Sequence, residues 1–226
     1  MKVYTFFSDS HRKILHDYYL KTFPFEDGLE LNILYIPQEC RTGAFLDRGW
    51  LASMRRKVAY VIESILDATG KDEYFVHSDC DIIFFNNFRE NLLDQIKDYE
   101  IACINDVQML CAGFFIARAN NTILKLFENI MQHMDKFAKG GGGADQLAMN
   151  FFIREMGIRA KPLDFRYHNI FHSIGQEWTS ERDFQIPDEI ILHHANFTRG
   201  VATKIKLMDL MLSKVKDEDI EAHARA

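Results

Sequence analysis

The sequence predicts an α/β protein: a mixed, mostly parallel sheet flanked by helices. Three observations carry that expectation. Strand-like and helix-like segments alternate along the chain, the pattern of a layered α/β architecture. From Asp47 to Ala68 the apolar residues Leu51, Met54, Val58, Ile62, Ile65 and Leu66 recur at helical spacing. A dense apolar run then follows, Tyr74-Phe75-Val76-His77-Ser78-Asp79-Cys80-Asp81-Ile82-Ile83-Phe84-Phe85, broken by two acids one residue apart.

The elements can be justified in chain order. Lys2 to Phe7 reads as a first strand, and Ser8-Asp9-Ser10 supplies N-cap candidates for a helix to about Lys21, closed by Phe23-Pro24. Leu29 to Ile36 is a second strand stopped by Pro37, and a loop with Cys40 and Gly43 follows. The long helix ends at Gly70, and Glu73 to Ser78 is a central strand delivering the acidic pair. Arg89 to Lys97 is a short helix, and Ile101 to Asn105 and Cys111 to Ala117 are strands. Asn120 to Phe137 is an amphipathic helix capped by Asn120 or Asn121. Four glycines, Gly140 to Gly143, lead into a helix from Ala144 to Met156. Strands are expected near Ile158 to Leu163 and Ile190 to Ala195, with a closing helix from about Lys204 to Lys214. No segment rich in Pro, Gly or Ser divides the chain, so residues 1–215 read as one domain and 216–226 as a polar, frayed tail.

Composition narrows the function classes. Of 226 residues, 47% are hydrophobic and 27% charged, as in ordinary globular proteins. A net charge of -6 gives no broad attraction for nucleic acid or an anionic membrane, so an anionic ligand needs a metal or a few placed cations. No apolar run approaches the roughly eighteen residues of a membrane span. The start, Met1 to Asp9, turns polar too soon for a signal peptide. The chain is therefore expected in a cytosol, or as one domain of a longer protein. Cys40, Cys80, Cys103 and Cys111 form no Cys-x-x-Cys pair and read as buried free thiols rather than a zinc site.

The acidic pair is the main chemical signal. On an extended segment Asp79 and Asp81 share one face and Cys80 takes the other. Two carboxylates at the end of a buried strand repel unless a cation or protons neutralise them, which points to a divalent-metal site that also holds a phosphate-bearing substrate. The alternative is a turn with both acids in water. His77 lies on the face of the pair. His193 and His194 are adjacent, so only one can join a given site, and carboxylates with one imidazole suit Mn²⁺ or Mg²⁺. Asp145 and Gln146 fall in the first turn of their helix, where a carboxylate or a bound anion is favoured. Of Arg55, Arg56 and Lys57 only a subset can reach a phosphate, and Arg199 and Lys204 flank the turn after the His pair; any of these can equally be surface charge.

These segments together resemble the nucleotide-diphospho-sugar glycosyltransferases of GT-A fold, most of all the family that includes plant cell-wall α-xylosyl-, arabinosyl- and galactosyltransferases. Four blocks correspond in order: Tyr74 to Phe85 to the Asp-x-Asp strand, Cys111-Ala-Gly-Phe-Phe-Ile-Ala-Arg118 to an Asn-Ala-Gly-Phe-x-x-x-Arg strand, Gly143-Ala-Asp-Gln-Leu-Ala-Met-Asn150 to an Asp-Gln-x-x-x-Asn helix start, and His194 to Gly200 with Lys204 to the closing His-x-Asn and Gly-to-Lys segment. The resemblance implies Asp79, Asp81 and His194 as ligands of Mn²⁺ or Mg²⁺, with Asp79 also near the donor. It implies Thr5, Phe6 and Ser8 lining the nucleotide pocket and Lys204 approaching the diphosphate; Arg56, Lys57 and Gly113 are further donor-site candidates. Asp145 and Gln146 would lie beside the transferred sugar and the acceptor, a glycan or other hydroxyl compound. An inverting enzyme would take Asp145 as base, with Asp106 behind it; a retaining one would use the leaving phosphate, with Gln146 steadying the sugar, and the resemblance leans to retention. Cys111 stands where Asn is common, and Ser78 where some relatives carry another acid. The donor is expected to be a UDP-sugar.

Two other classes compete. A haloacid-dehalogenase-type phosphatase also sets Asp-x-Asp after a strand, but Ile83 stands where Thr or Val is expected and no later acidic cluster follows. A non-catalytic sugar-nucleotide or carbohydrate-binding domain is the other, favoured only by Cys111.

Overall fold

The computed structural model describes the chain except residues 72, 107, 139–142, 181 and 226, and side chains except also those of 172, 173 and 216–225. Its centre is a six-stranded sheet in the order β2-β1-β3-β6-β5-β7, beside a three-stranded sheet in the order β4-β9-β8.

β1 (Lys2–Phe7) lies parallel to both β2 (Glu30–Tyr35) and β3 (Tyr74–Asp79). β6 (Leu110–Arg118) runs antiparallel to β3 and to β5 (Ile101–Asn105), and β7 (Ala160–Pro162) is parallel to β5. In the smaller sheet β4 (Ile82–Phe84) pairs antiparallel with β9 (Leu192–His194), which lies parallel to β8 (Tyr167–Asn169). The expected mixed, mostly parallel sheet is present. The strand at β8 and the split of the Tyr74–Phe85 run between two sheets were not anticipated.

Alternation along the strands assigns the two faces. Tyr4, Phe75 and Phe115 join the core under α3 (Trp50–Ala68), α5 (Asn121–Phe137) and α6 (Ala144–Glu155), whereas Val3, Val76, Phe114 and Ile116 join the opposite core. That second core is closed by the helical stretch of residues 9–22, by α4 (Arg89–Ile96) and by the small sheet. Residues 9–22 comprise a 3₁₀ turn, α1 (Arg12–Ile14), a π turn over Leu15–Tyr19 and α2 (Leu20–Thr22). Tyr18 and Tyr19 are thereby both buried. A third core gathers Ile83, Trp178, Ile190, Leu207, Met208 and Met211 beneath α8 (Gly200–Arg225); α7 (Ile170–Ile174) precedes it.

Local expectations hold with shifts that have physical causes. The long helix starts at Trp50 rather than Asp47, because Gly49 sits in the left-handed region at φ 91°. Leu66, expected on its buried stripe, is exposed, while Val58 and Ile65 are buried. Ser8 precedes the first helical turn but makes no side-chain cap bond. Asn120, not Asn121, caps α5: its side chain accepts the Ile123 N–H at 3.0 Å. The closing helix is longer than expected, spanning Gly200–Arg225, and the glycine run lies outside the described residues except for Gly143. All four cysteines are buried and free. Among the described residues no helix is long and apolar enough to cross a membrane.

The Asn120 side chain also donates to Glu100 at 2.8 Å, tying the start of α5 to the strand layer. Asn120→Ala is expected to cost about 1 kcal/mol, the usual range for a lost cap, read as a lower urea midpoint with an unchanged denaturant slope.

Candidate functional site

β3 ends at Asp79, and the chain bends through Cys80 and Asp81 before β4 starts the second sheet. The acidic pair therefore sits at the seam between the two sheets rather than along one strand. The seam is closed by pairing: Ile82 lies opposite His194, and Ala195 N donates to Asp81 O at 2.9 Å. His194 Nε2 stands 3.3 Å from Asp81 Oδ1. One ligand atom from each of Asp79, Asp81 and His194 can be chosen so that all lie within 4.8 Å of one another. Asp81 and His194 are buried and Asp79 is partly exposed, so the cluster opens on the Asp79 side.

His193, the neighbour, points the other way as strand alternation requires, its Nδ1 2.9 Å from His168 Nδ1. Gly113 makes the approach of His194 possible. Ser78 pairs with Phe114, which sets Gly113 beside Asp79 on the adjacent strand. A Cβ at Gly113 would overlap the His194 ring and lie 2.8 Å from Asp79 Oδ2.

Two ammonium groups neutralise the acids. Phe75, His77 and Asp79 alternate onto the α3 face of the sheet, and Lys57 on α3 meets them there. Its Nζ is 3.0 Å from Asp79 and 3.3 Å from Asp145. Burial pulls Lys57 down, but Asp79 and Asp145 outweigh it and hold the ammonium above its ordinary value. Lys204, in the second turn of α8, donates to Asp81 Oδ2 at 2.5 Å and to Ala195 O at 2.9 Å. Burial pushes Asp81 up, yet Lys204 and His194 together hold it well below the carboxylate range. Burial likewise lowers His194, and the Asp81 carboxylate more than reverses this, to about 10.

The start of α6 completes the arrangement. Gln146 accepts from Ala112 N at 3.1 Å and donates to Asp106 at 2.6 Å, while Asn150 exchanges two hydrogen bonds with the Leu110 backbone. The Asp-Gln-x-x-x-Asn spacing thus stitches the helix to β6 through Gln146 and Asn150, and turns Asp145 toward Lys57.

The described site can be set beside known proteins. The family model for nucleotide-diphospho-sugar transferases matches residues 29–208. The chain belongs to that family. Its solved neighbours share the fold. The xyloside xylosyltransferase 1 of mouse, in its apo form, superposes with a TM-score of 0.50 at 13% identity, covering 87% of this chain and 98% of the other. A glycosyltransferase involved in glycosylation of the major capsid of PBCV-1 gives 0.58 at 12% identity, covering 92% and 98%. The galactosyltransferase LgtC, solved with donor and acceptor sugar analogues, gives 0.55 at 8% identity, covering 86% of each chain. No protein of curated function matches this chain in sequence. The transferase therefore has the GT-A architecture that the four sequence blocks imply, and the family match takes the place of the haloacid-dehalogenase reading.

Of the sequence-predicted residues, the transferase brings Lys57, Asp79, Asp81, Gly113, Asp145, His194 and Lys204 together, with Gln146 anchored alongside. Two others, Arg56 and Thr5, do not join them. Arg56 is exposed and faces Glu39 at 3.9 Å, away from the acids. Thr5 is fully buried, because its position in β1 alternates onto the face opposite Tyr4 and Phe6; it does not line an open pocket. Phe6 stays with the site: it lies opposite Asp79 in the β1–β3 pairing and stacks on His77 at 6.2 Å between ring centroids, and Ser8 lies beside Ser10 at 3.4 Å. Sequence reasoning overlooked His11 and Asn196. His11 is lowered chiefly by burial, with Asp81 and Asp79 pulling it up and Lys204 pushing it down, which sets it close to the cluster. Asn196 donates to Cys111 Sγ at 3.9 Å. Asn196 could have been found as the third residue of the His-x-Asn block; His11 has no sequence signal.

The charges give the metal-free transferase a pH signature. His194 is raised in the fold to about 10 from an ordinary 6.5, so its stabilisation is complete below about pH 6.5 and is lost as pH climbs toward 10. Asp81 is depressed, so its contribution is complete above about pH 4 and is lost in acid. Urea unfolding in EDTA is expected to show stability falling by about 1–3 kcal/mol between pH 6.5 and 9.5, with that fall much reduced in His194→Ala.

Proposed function

We propose that the transferase uses a UDP-sugar donor with Mn²⁺ or Mg²⁺ held by Asp79, Asp81 and His194, and moves the sugar to a hydroxyl acceptor on a glycan or a smaller compound. The observation that carries this is the convergence of two carboxylates and one imidazole at the seam, open on one side. Two oxygen donors and one nitrogen donor suit Mn²⁺ well. Gly113 supports the fit, since the absence of a side chain there keeps space between Asp79 and His194. A bound dication would supply the positive charge that a departing nucleoside diphosphate needs.

The chain's own residues do the rest. Lys204 presents an ammonium beside Asp81 from the start of α8 and would approach the same diphosphate. Lys57 holds Asp79 and Asp145 in one charge network, so the donor end and the sugar end of the site share a buried cation. Gln146, its amide committed to Ala112 and Asp106, would fix the wall beside the transferred sugar rather than swing with it. Asp145 would lie next to that sugar. The family match supports a nucleotide-diphospho-sugar donor; UDP as carrier rests on the four-block resemblance.

Calorimetric titration of a sugar-nucleotide panel, with Mn²⁺ and then with EDTA, tests the proposal. One donor is expected to bind with metal and to lose at least about tenfold in affinity in EDTA. Asp81→Ala and His194→Ala are each expected to abolish the metal-dependent part while keeping the fold by circular dichroism; wild-type affinity in either would remove that residue from the metal site.

Asp145→Asn keeps the volume and removes the charge. It is expected to leave donor affinity within about threefold and to lower transfer by roughly 10²-fold or more, followed as nucleoside diphosphate released in the presence of acceptor. Unchanged transfer would take Asp145 out of the reacting centre.

A further inference from the structure

Cys111 has a place in the site that the fold alone does not explain. Its sulfur is buried and lies 3.7 Å from His194 Nδ1. The Gly113 N–H donates to the same sulfur at 3.3 Å, and Asn196 Nδ2 donates to it at 3.9 Å. Three nitrogens thus converge on one sulfur, which accepts from two of them and faces Nδ1 of His194. The other ring nitrogen of His194, Nε2, faces Asp81 at 3.3 Å. An imidazole that offers Nε2 to a cation must carry its hydrogen on Nδ1, and that hydrogen needs an acceptor. Beside Cys111 on the same strand face, Gly113 leaves no slack against Cε1 of the ring.

We propose that Cys111 is a positioning residue: its sulfur accepts the Nδ1–H of His194, fixing the ring so that Nε2 points into the Asp79–Asp81 cluster. A sulfur suits the geometry, because its hydrogen bonds are long and it can bridge 3.7 Å where a hydroxyl at the same Cβ would fall short. The sulfur lies at the Nδ1 end of the ring, so it supports the ligand instead of being one. The inference rests on Asp79, Asp81 and His194 being the metal ligands.

The test uses the full chain as wild type, Cys111→Ala, Cys111→Asn and His194→Ala. Mn²⁺ affinity without nucleotide is measured by calorimetry, and the imidazole ¹H–¹⁵N resonances are recorded for the metal-free protein, the His194→Ala spectrum giving the assignment. Cys111→Ala is expected to weaken Mn²⁺ binding about tenfold, within the range for lost support of a metal-ligating His, and to shift and speed the exchange of the His194 Nδ1–H. Cys111→Asn, whose side-chain oxygen also accepts, is expected to bring affinity back to within about threefold. A purely structural role would move thermal stability without moving the His194 resonance or showing this rescue. Wild-type Mn²⁺ uptake with neither affinity nor resonance altered in Cys111→Ala overturns this inference alone, and a wild type that takes up no Mn²⁺ overturns the metal reading together with it. A sulfur-to-metal charge-transfer band in the Co²⁺-loaded wild type, absent from Cys111→Ala, also overturns it by making the sulfur a ligand.

Discussion

Everything at the site depends on a balance of buried charge. Asp79, Asp81 and Asp145 bring three negative charges to the ends of β3 and α6, two of them with almost no exposure. Isolated carboxylates there would each cost several kcal/mol of lost hydration. Lys57 and Lys204 return two positive charges, and a protonated His194 returns a third. The metal-free cluster is therefore close to neutral. Exchanging one proton for a dication would leave a net charge of about +1, a site prepared for an anion. The balance explains why the lysines come from two separate helices, α3 and α8: each acid points where its own strand or bend directs it, and a cation must come to meet it.

The seam between the sheets is the second constraint. A strand that ran straight through the acidic pair would leave Asp81 stranded in the six-stranded sheet, far from β9. The bend at Cys80 instead hands the chain to the small sheet, where Ile82 opposite His194 fixes the distance from carboxylate to imidazole by backbone pairing. Side-chain geometry is thus inherited from strand register. Gly113 belongs to the same logic: it sits where two sheets and one ring compete for a single methyl-sized volume.

Much of this was readable beforehand, and the misses share a cause. Elements with strong local signals, such as the Asn120 cap, the α3 stripe and the acidic strand, fall within a few residues of expectation because spacing and capping are local properties. His194 and Lys204 were found through motif order, and both lie beside Asp81. Lys57 could not be separated from Arg55 and Arg56 by sequence, since the choice depends on how α3 rotates over β3, a tertiary fact; Arg56 accordingly turned out to face Glu39. Thr5 was misplaced although alternation could have warned of it, Tyr4 and Phe6 being the residues of β1 on the α3 face. The strand at β8 is three residues long and carries no run of apolar residues to announce it. Leu66 fits the helical stripe but is exposed, its neighbour Ile65 being the one that is buried.

The contacts across the seam also order events in time. Asp81 and Lys204 touch although they are 123 positions apart, and His194 reaches back nearly as far. During synthesis the N-terminal strands and the long helix can pack while the C-terminal third is still absent. Until that third arrives, Asp81 has neither its cation nor its imidazole, and the acidic corner is repulsive rather than receptive. A nascent chain therefore lacks the completed seam, and the charge balance around Asp81 is a property only of the whole fold.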